Sequence, residues 1–234
     1  MIITFASSKG GVGKSTTCVA LAGSYAKAGK RVHVIDLDAN RTASRWLSDE
    51  KVRPENLTVS APDPHILTEH LQEAARLYAP DMVLMDVAGS YERALTVAIA
   101  RAHLTIIPAA PTEADIYEAA RIAGHIQTMY AAFGKVPLFR VLATRVGPLV
   151  THAQTHAFRE IARLKLPLLR TIIPQRAAYE EIGLSGLPPH FADAERATTA
   201  KAVAELDQLR TEVDALLADH TTENFETTAE ELVS

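Results

Sequence analysis

One stretch constrains this chain more than any other: Ser7-Ser8-Lys9-Gly10-Gly11-Val12-Gly13-Lys14-Ser15-Thr16. Ahead of it, Met1-Ile2-Ile3-Thr4-Phe5-Ala6 has the apolar, β-branched composition of a buried strand. Behind it, Thr16 to Ala28 reads as a helix closed by Gly29. A strand that turns through glycines into a helix is the context a phosphate-binding loop needs. Glycines let successive backbone N–H groups crowd around an anion, and the helix N-terminus adds partial positive charge. In this reading Gly10, Gly11, Val12, Gly13 and Thr16 form the cradle, Lys14 neutralises the β- and γ-phosphates, and the Ser15 hydroxyl ligates Mg²⁺.

The pattern departs from the strict form G-x-x-x-x-G-K-[ST] in two places. Ser8 stands where a glycine is expected, and a second lysine, Lys9, follows it. The rest of the chain fits a large α/β unit. Its 234 residues are 47% hydrophobic, enough to cover both faces of a sheet. The one cysteine, Cys18, falls inside the first helix, which excludes a disulfide framework or a cysteine-rich metal site on one chain and reads as a small core residue. No run approaches the roughly 20 apolar residues of a membrane span, so a cytoplasmic, membrane-free protein is expected.

Apolar strands and amphipathic helices alternate along the chain. Strands are expected at 31–36, 57–59, 81–86, 104–108, 138–144 and 168–173. Helices are expected at 65–78, around 92–101, at 112–133 with Gly134 after it, at 151–165, at 175–182 and at about 194–217. The alternation predicts an α/β fold of the P-loop NTPase-like kind: a mostly parallel sheet, helices on both faces, ligands outside the carboxyl ends of the strands. The expected organisation is a single ATPase domain over 1–219 and an acidic, flexible tail over 220–234. Five of the 28 acids lie beyond Ala218, so the remaining 23 nearly balance the 24 basic residues.

Three acids fall at strand ends. Asp86 closes a hydrophobic strand, where a hard cation beside a triphosphate finds its carboxylate ligand. Asp36 and Asp38 close the second strand, and period-2 alternation sends both toward the phosphate pocket.

With Lys9, the loop K-G-G-V-G-K-S-T resembles the deviant Walker A motif of the ParA/MinD family of dimerising ATPases. Asp36-Leu37-Asp38 resembles that family's switch I, and Asp86-Val87-Ala88-Gly89-Ser90 its Walker B and switch II. The D-x-A-G-S form looks like the small ParF-like plasmid partition proteins, and D-x-x-G-S like VirC-type conjugation proteins. Asn40 replaces the P-Q that commonly follows the switch I aspartate. Thr144-Arg145 and Pro174-Gln175 resemble segments that embrace adenine. The matches span about residues 2–183.

The resemblance implies a set of roles. ATP and Mg²⁺ are the cofactors, and Ser15, Asp38 and Asp86 hold the metal. Lys9, Lys14 and Asp38 are catalytic, Asp38 positioning the attacking water and Lys9 reaching the phosphates bound by a second subunit. The partners implied are a homodimer when ATP is bound, DNA held non-specifically, and a centromere- or relaxosome-binding adaptor, which places the protein at the nucleoid. Arg159, Arg163 and Arg170 are the DNA candidates; Arg159 and Arg163 share a helix face at i,i+4. His152 and His156 have the same spacing but no third ligand, and read as exposed helix residues. The loop begins within the first ten residues, so the operator-binding domain of larger relatives is not expected. Three functions stay open: a partition ATPase, a VirC-like helper of conjugative transfer, and a metabolic P-loop ATP-dependent enzyme.

Overall fold

The computed structural model describes residues 1–88, 92–132, 136–149 and 151–231, with the side chains of 88, 92 and 221–231 excepted. Gly89, Ser90 and Gly134 lie outside the described residues. The strands are β1 (Ile2–Ser7), β2 (Val32–Asp36), β3 (Leu57–Ser60), β4 (Met82–Ala88), β5 (Leu104–Ala109), β6 (Phe139–Val146) and β7 (Ile173–Pro174). The helices are α1 (Lys14–Lys27), α2 (Thr42–Trp46), α3 (Leu67–Tyr78), α4 (Glu92–Arg101), α5 (Glu113–Ala131), α6 (His152–Arg163), α7 (Ala177–Glu180), α8 (Ile182–Ser185) and α9 (Ala197–Glu231). Short 3₁₀ turns sit at Pro64–Ile66 and Pro189–Phe191.

The seven strands form one parallel sheet in the order β3-β2-β4-β1-β5-β6-β7. Side-chain alternation divides the core into two layers. Ile3, Phe5, Val32, Val34, Leu84, Ile106 and Leu142 pack against Leu21 and Tyr25 of α1 and Leu206, Leu209 and Val213 of α9. Their neighbours Ala6, Ile35, Val83, Met85, Ile107 and Val141 pack against α4, α5 and α6 through Ile99, Ile116, Ile122 and Ile161. Successive residues of a strand point to opposite faces, so a sheet covered on both sides needs this double apolar pattern.

Register brings the chemistry together. Ser7 pairs with Ala88 and Phe5 with Asp86 across β1 and β4, and Asp36 pairs with Asp86 across β2 and β4. The ends of β1, β2 and β4 therefore meet at one point on the carboxyl edge.

Two expectations need correction. The strand anticipated over 168–173 is reduced to a single bridge, Val141 to Leu168, and the two residues of β7. Its amides are taken elsewhere: Arg170 N–H and Thr171 N–H donate to the Glu212 carboxylate of α9, at 2.7 and 2.9 Å. Pro174 has no N–H to extend the ladder. The last helix runs from Ala197 to Glu231 and not from 194 to 217.

Candidate functional site

β1 releases the chain at Ser7, and the loop turns through Gly11 (φ 82°) and Gly13 (φ 83°) into α1. Both glycines occupy the left-handed region that L side chains resist. A Cβ on Gly13 would also lie 3.6 Å from the Thr144 side chain. The loop is braced from β6: the Thr144 hydroxyl donates to the Val12 carbonyl at 2.7 Å, and Arg145 Nη1 donates to the Gly11 carbonyl at 2.5 Å. A planar trans peptide sends C=O and the next N–H in opposite directions. With these two carbonyls tied to β6, the N–H groups of Val12 and Gly13 point away from it. The α1 N-terminus that follows has Gly13 as its cap, with no side-chain cap and no acid in its first turn. Its field is left for an anion.

Loop and helix end open on a cavity of about 480 Å³, the size range of a small-ligand site. Ser7–Gly11, Gly13–Thr17, Asp38–Asn40, Thr144, Arg145 and Ile173–Arg176 line it. Of the residues expected to form the site, Lys9, Gly10, Gly11, Gly13, Lys14, Ser15, Thr16, Asp38, Thr144, Arg145, Pro174 and Gln175 line this cavity. Val12, also expected there, is buried and outside the cavity lining, its carbonyl taken by Thr144.

Lys14 is buried beneath the loop, between two carboxylates: Nζ lies 3.1 Å from Asp38 Oδ2 and bonds to Asp86 Oδ1. Burial works against the ammonium, but Asp86 and Asp38 outweigh it and raise its affinity for the proton above that of an ordinary lysine. Burial pushes the Asp86 carboxyl up, opposed by Lys14 and by a hydrogen bond from Ser15. Asp38 is held below the usual carboxylate range: partial burial opposes this, and the Asn40 N–H and Lys14 prevail.

The acids fit a hard divalent cation. Asp86 Oδ2 is buried and has no hydrogen-bond partner among the described residues, while the Ser15 hydroxyl and Asp38 stand beside the same carboxylate system. No cluster of three or more His, Cys, Asp or Glu side chains converges among the described residues. This donor set suits Mg²⁺, which takes one or two carboxylates and completes its shell with phosphate and water oxygens.

Asp36 corrects the alternation argument. It is fully buried and outside the cavity lining. Its Oδ1 accepts from Asp38 N–H at 3.0 Å and its Oδ2 from Ser44 N–H at 2.8 Å. Period-2 geometry ends with the strand, so Asp36 braces the loop that carries Asp38 and does not face the cavity.

Lys9 does not join Lys14. Its Nζ lies 2.5 Å from Asp115 Oδ1, in the first turn of α5. Trp46 and Tyr179 also line the cavity and were not expected there. Trp46, the chain's one tryptophan, lies against Gly183 of α8, where an added Cβ would come within 3.3 Å of the indole. The signals available were that lone tryptophan beside switch I and a tyrosine four residues after Gln175.

The arginines expected to contact DNA separate. Arg159 and Arg163 are exposed on α6. Arg163 is already engaged by Glu160, at 2.8 Å, and by the Tyr117 hydroxyl. Arg170 is exposed beyond α6, its backbone tied to α9 on the other layer. Cys18 is buried in α1, and His152 and His156 are exposed on α6. Among the described residues no helix is long and apolar enough to cross a membrane.

The profile of the CobQ/CobB/MinD/ParA nucleotide binding domain matches residues 3–189. A protein ParA from Rhizobium radiobacter is 27% identical over 205 residues, covering 86% of this chain and 90% of its own length. A protein virC1 from the same organism is 37% identical over 122 residues, half of this chain and 52% of the relative. In structure, the septum site-determining protein MinD from Pyrococcus horikoshii, complexed with Mg-ADP, aligns with a TM-score of 0.68 at 20% identity, covering 94% of this chain and 98% of its own.

Proposed function

This chain belongs to the CobQ/CobB/MinD/ParA nucleotide-binding family and is an ATP hydrolase that uses Mg²⁺, and we propose that it works as a nucleotide-gated dimer that binds DNA non-specifically and segregates or positions plasmid or chromosomal DNA. The observation that carries the reading is the loop's second lysine. Lys14, buried between Asp38 and Asp86, suffices for a phosphate cradle. Lys9, half exposed at the cavity mouth, is left over for phosphates held by another copy. ATP bridged by lysines of two chains favours the dimer, and loss of the γ-phosphate releases it.

The chain's own residues divide the work. The loop's N–H groups and the α1 N-terminus bind the phosphates. Lys14 passes from the carboxylates to the β- and γ-phosphates, and its departure leaves Asp38 free to orient the attacking water. Mg²⁺, held by Asp86, Ser15 and Asp38, would supply charge neutralisation at the phosphate oxygens. Lys9 adds positive charge where the transition state gathers negative charge. The base lies toward Thr144, Pro174 and Gln175. In this reading the ATPase unit occupies 1–219, the acidic tail 220–234, and the protein sits at the nucleoid with an adaptor that binds a centromere-like site.

A VirC-like role in recruiting DNA-processing machinery is the second reading, favoured by the 37% identity over half the chain. In that case the adaptor binds a relaxosome.

The test is turnover and DNA retention of the full chain, with ATP or ADP and with increasing salt. Retention should require ATP and fall steeply with salt. Asp38→Ala should hold ATP and stay dimeric while turnover drops by about 100-fold or more. Retention indifferent to the nucleotide, or normal turnover in Asp38→Ala, would overturn the reading.

A further inference from the structure

The two residues that make the loop unusual, Ser8 and Lys9, are both tied to the same helix. The Ser8 hydroxyl donates to Glu118 Oε1, and Lys9 Nζ lies 2.5 Å from Asp115 Oδ1. Asp115 and Glu118 are three residues apart, so they present neighbouring carboxylates from the first two turns of α5. Asp115 is built to hold a cation. Its Oδ2 accepts from the Thr112 hydroxyl at 2.8 Å, while Thr112 Oγ1 accepts from Asp115 N–H at 3.2 Å as the helix cap. That pairing fixes the carboxylate and leaves Oδ1 facing Lys9. The Asp115 side chain is 7% exposed, and apart from Lys9 its Oδ1 has no hydrogen-bond partner among the described residues. Glu118 is pinned from the other side by Arg121 at 2.6 Å.

We infer that Asp115 is a positioning residue that keeps Lys9 on its own chain, with Ser8–Glu118 as a second tie, so that the pair must open before Lys9 can reach phosphates on another copy. The proposal rests on the dimer reading. It adds a barrier that the loop alone does not have. Every protomer entering a dimer gives up one ion pair from a rigid, largely buried carboxylate. The pair therefore sets the ATP and protein concentrations at which association begins, and it guards against association without ATP. A lysine with no holder would leave the dimer free to form at lower concentration.

The sign of the effect separates this role from a supporting one. If Asp115 merely aimed Lys9 at the partner, its loss would weaken the dimer. If it holds Lys9 back, its loss strengthens it. Lys9 is 46% exposed, so opening one pair is worth roughly fivefold in an equilibrium constant. A twofold dimer opens two, giving on the order of 20-fold.

The experiment is sedimentation of the full chain with ATP or ADP over a range of protein concentrations. Asp115→Asn, which keeps a carbonyl oxygen for Thr112, should lower the dimer Kd in ATP by about 20-fold and bring measurable dimer into ADP. Lys9→Ala combined with Asp115→Asn should match Lys9→Ala alone, because without the lysine there is nothing to hold. A purely structural effect of Asp115 would persist in that background. Glu118→Ala releases Ser8 without touching the buried carboxylate and should shift the Kd about twofold in the same direction; it carries the test if Asp115→Asn melts early. A wild-type dimer that Asp115→Asn leaves equal or weaker overturns the holding role alone. A wild-type chain that stays monomeric in ATP overturns the dimer reading and this inference with it.

Discussion

The two halves of the loop are anchored to different parts of the molecule. The back half, Gly11 to Thr16, is bound to the carboxyl edge of the sheet: β6 holds its carbonyls, and Asp38 and Asp86 hold its lysine. The front half, Ser8 and Lys9, is bound to α5, outside the phosphate cradle. Lys14 is 8% exposed and shared by two acids, whereas Lys9 is 46% exposed and held by one. A buried lysine held by two acids leaves them only for a comparable concentration of negative charge. A half-exposed, singly paired one can change partners at modest cost. Under the proposed dimer, the contrast would divide chemistry within one chain from communication between chains.

The sharpest way to break that contrast is to remove each lysine in turn and compare stability with turnover. Lys14→Ala should abolish hydrolysis. It should also destabilise the fold by about 3 kcal/mol, because Asp86 is left buried and unpaired at the centre of the sheet. Turnover and a denaturant melt at neutral pH measure both.

Lys9→Ala should keep within about 1 kcal/mol of wild-type stability. Asp115 retains the Thr112 hydroxyl and the favourable field of its helix N-terminus, so its charge is not abandoned. ATP binding should survive, while ATP-dependent association is lost and turnover falls by about 100-fold. Equal destabilisation by the two variants would erase the distinction between the halves.

What the sequence revealed of this arrangement follows from the range of the forces involved. The loop and the strand alternation were legible because their causes are local: left-handed glycines at Gly11 and Gly13, and a period of two on strands covered from both sides. The acids were legible as a group but not one by one. Asp36 and Asp38 share a parity, yet the chain leaves the strand between them, and Asp36 turns to the amides of Asp38 and Ser44. The lost strand over 168–173 was hidden because the residue that takes its amides, Glu212, lies some forty positions downstream. Trp46 and Tyr179 reach the cavity from helices whose docking no local pattern announces. The destination of Lys9 was hidden for the same reason. Family resemblance points it outward to a partner, and only the packed chain reveals Asp115 as its holder.

The gentlest perturbation concerns the bracing of the back half. Arg145 is a non-glycine residue at φ 52°, beside the irregularity where β6 meets β7, and its Nη1 holds the Gly11 carbonyl. The guanidinium is at the exposed rim of the cavity. It acts on the loop peptide, so Arg145→Ala should loosen the cradle in the ground state and the transition state alike. The expected result is a rise in KM for ATP of about threefold to tenfold, the worth of one hydrogen bond, with kcat nearly unchanged. Thr144 would still hold the Val12 carbonyl, which limits the loss. A fall in kcat at constant KM would instead place the guanidinium on the reacting phosphate. The back half would then carry a second cation for chemistry, and Lys9 would no longer be the chain's distinctive charge.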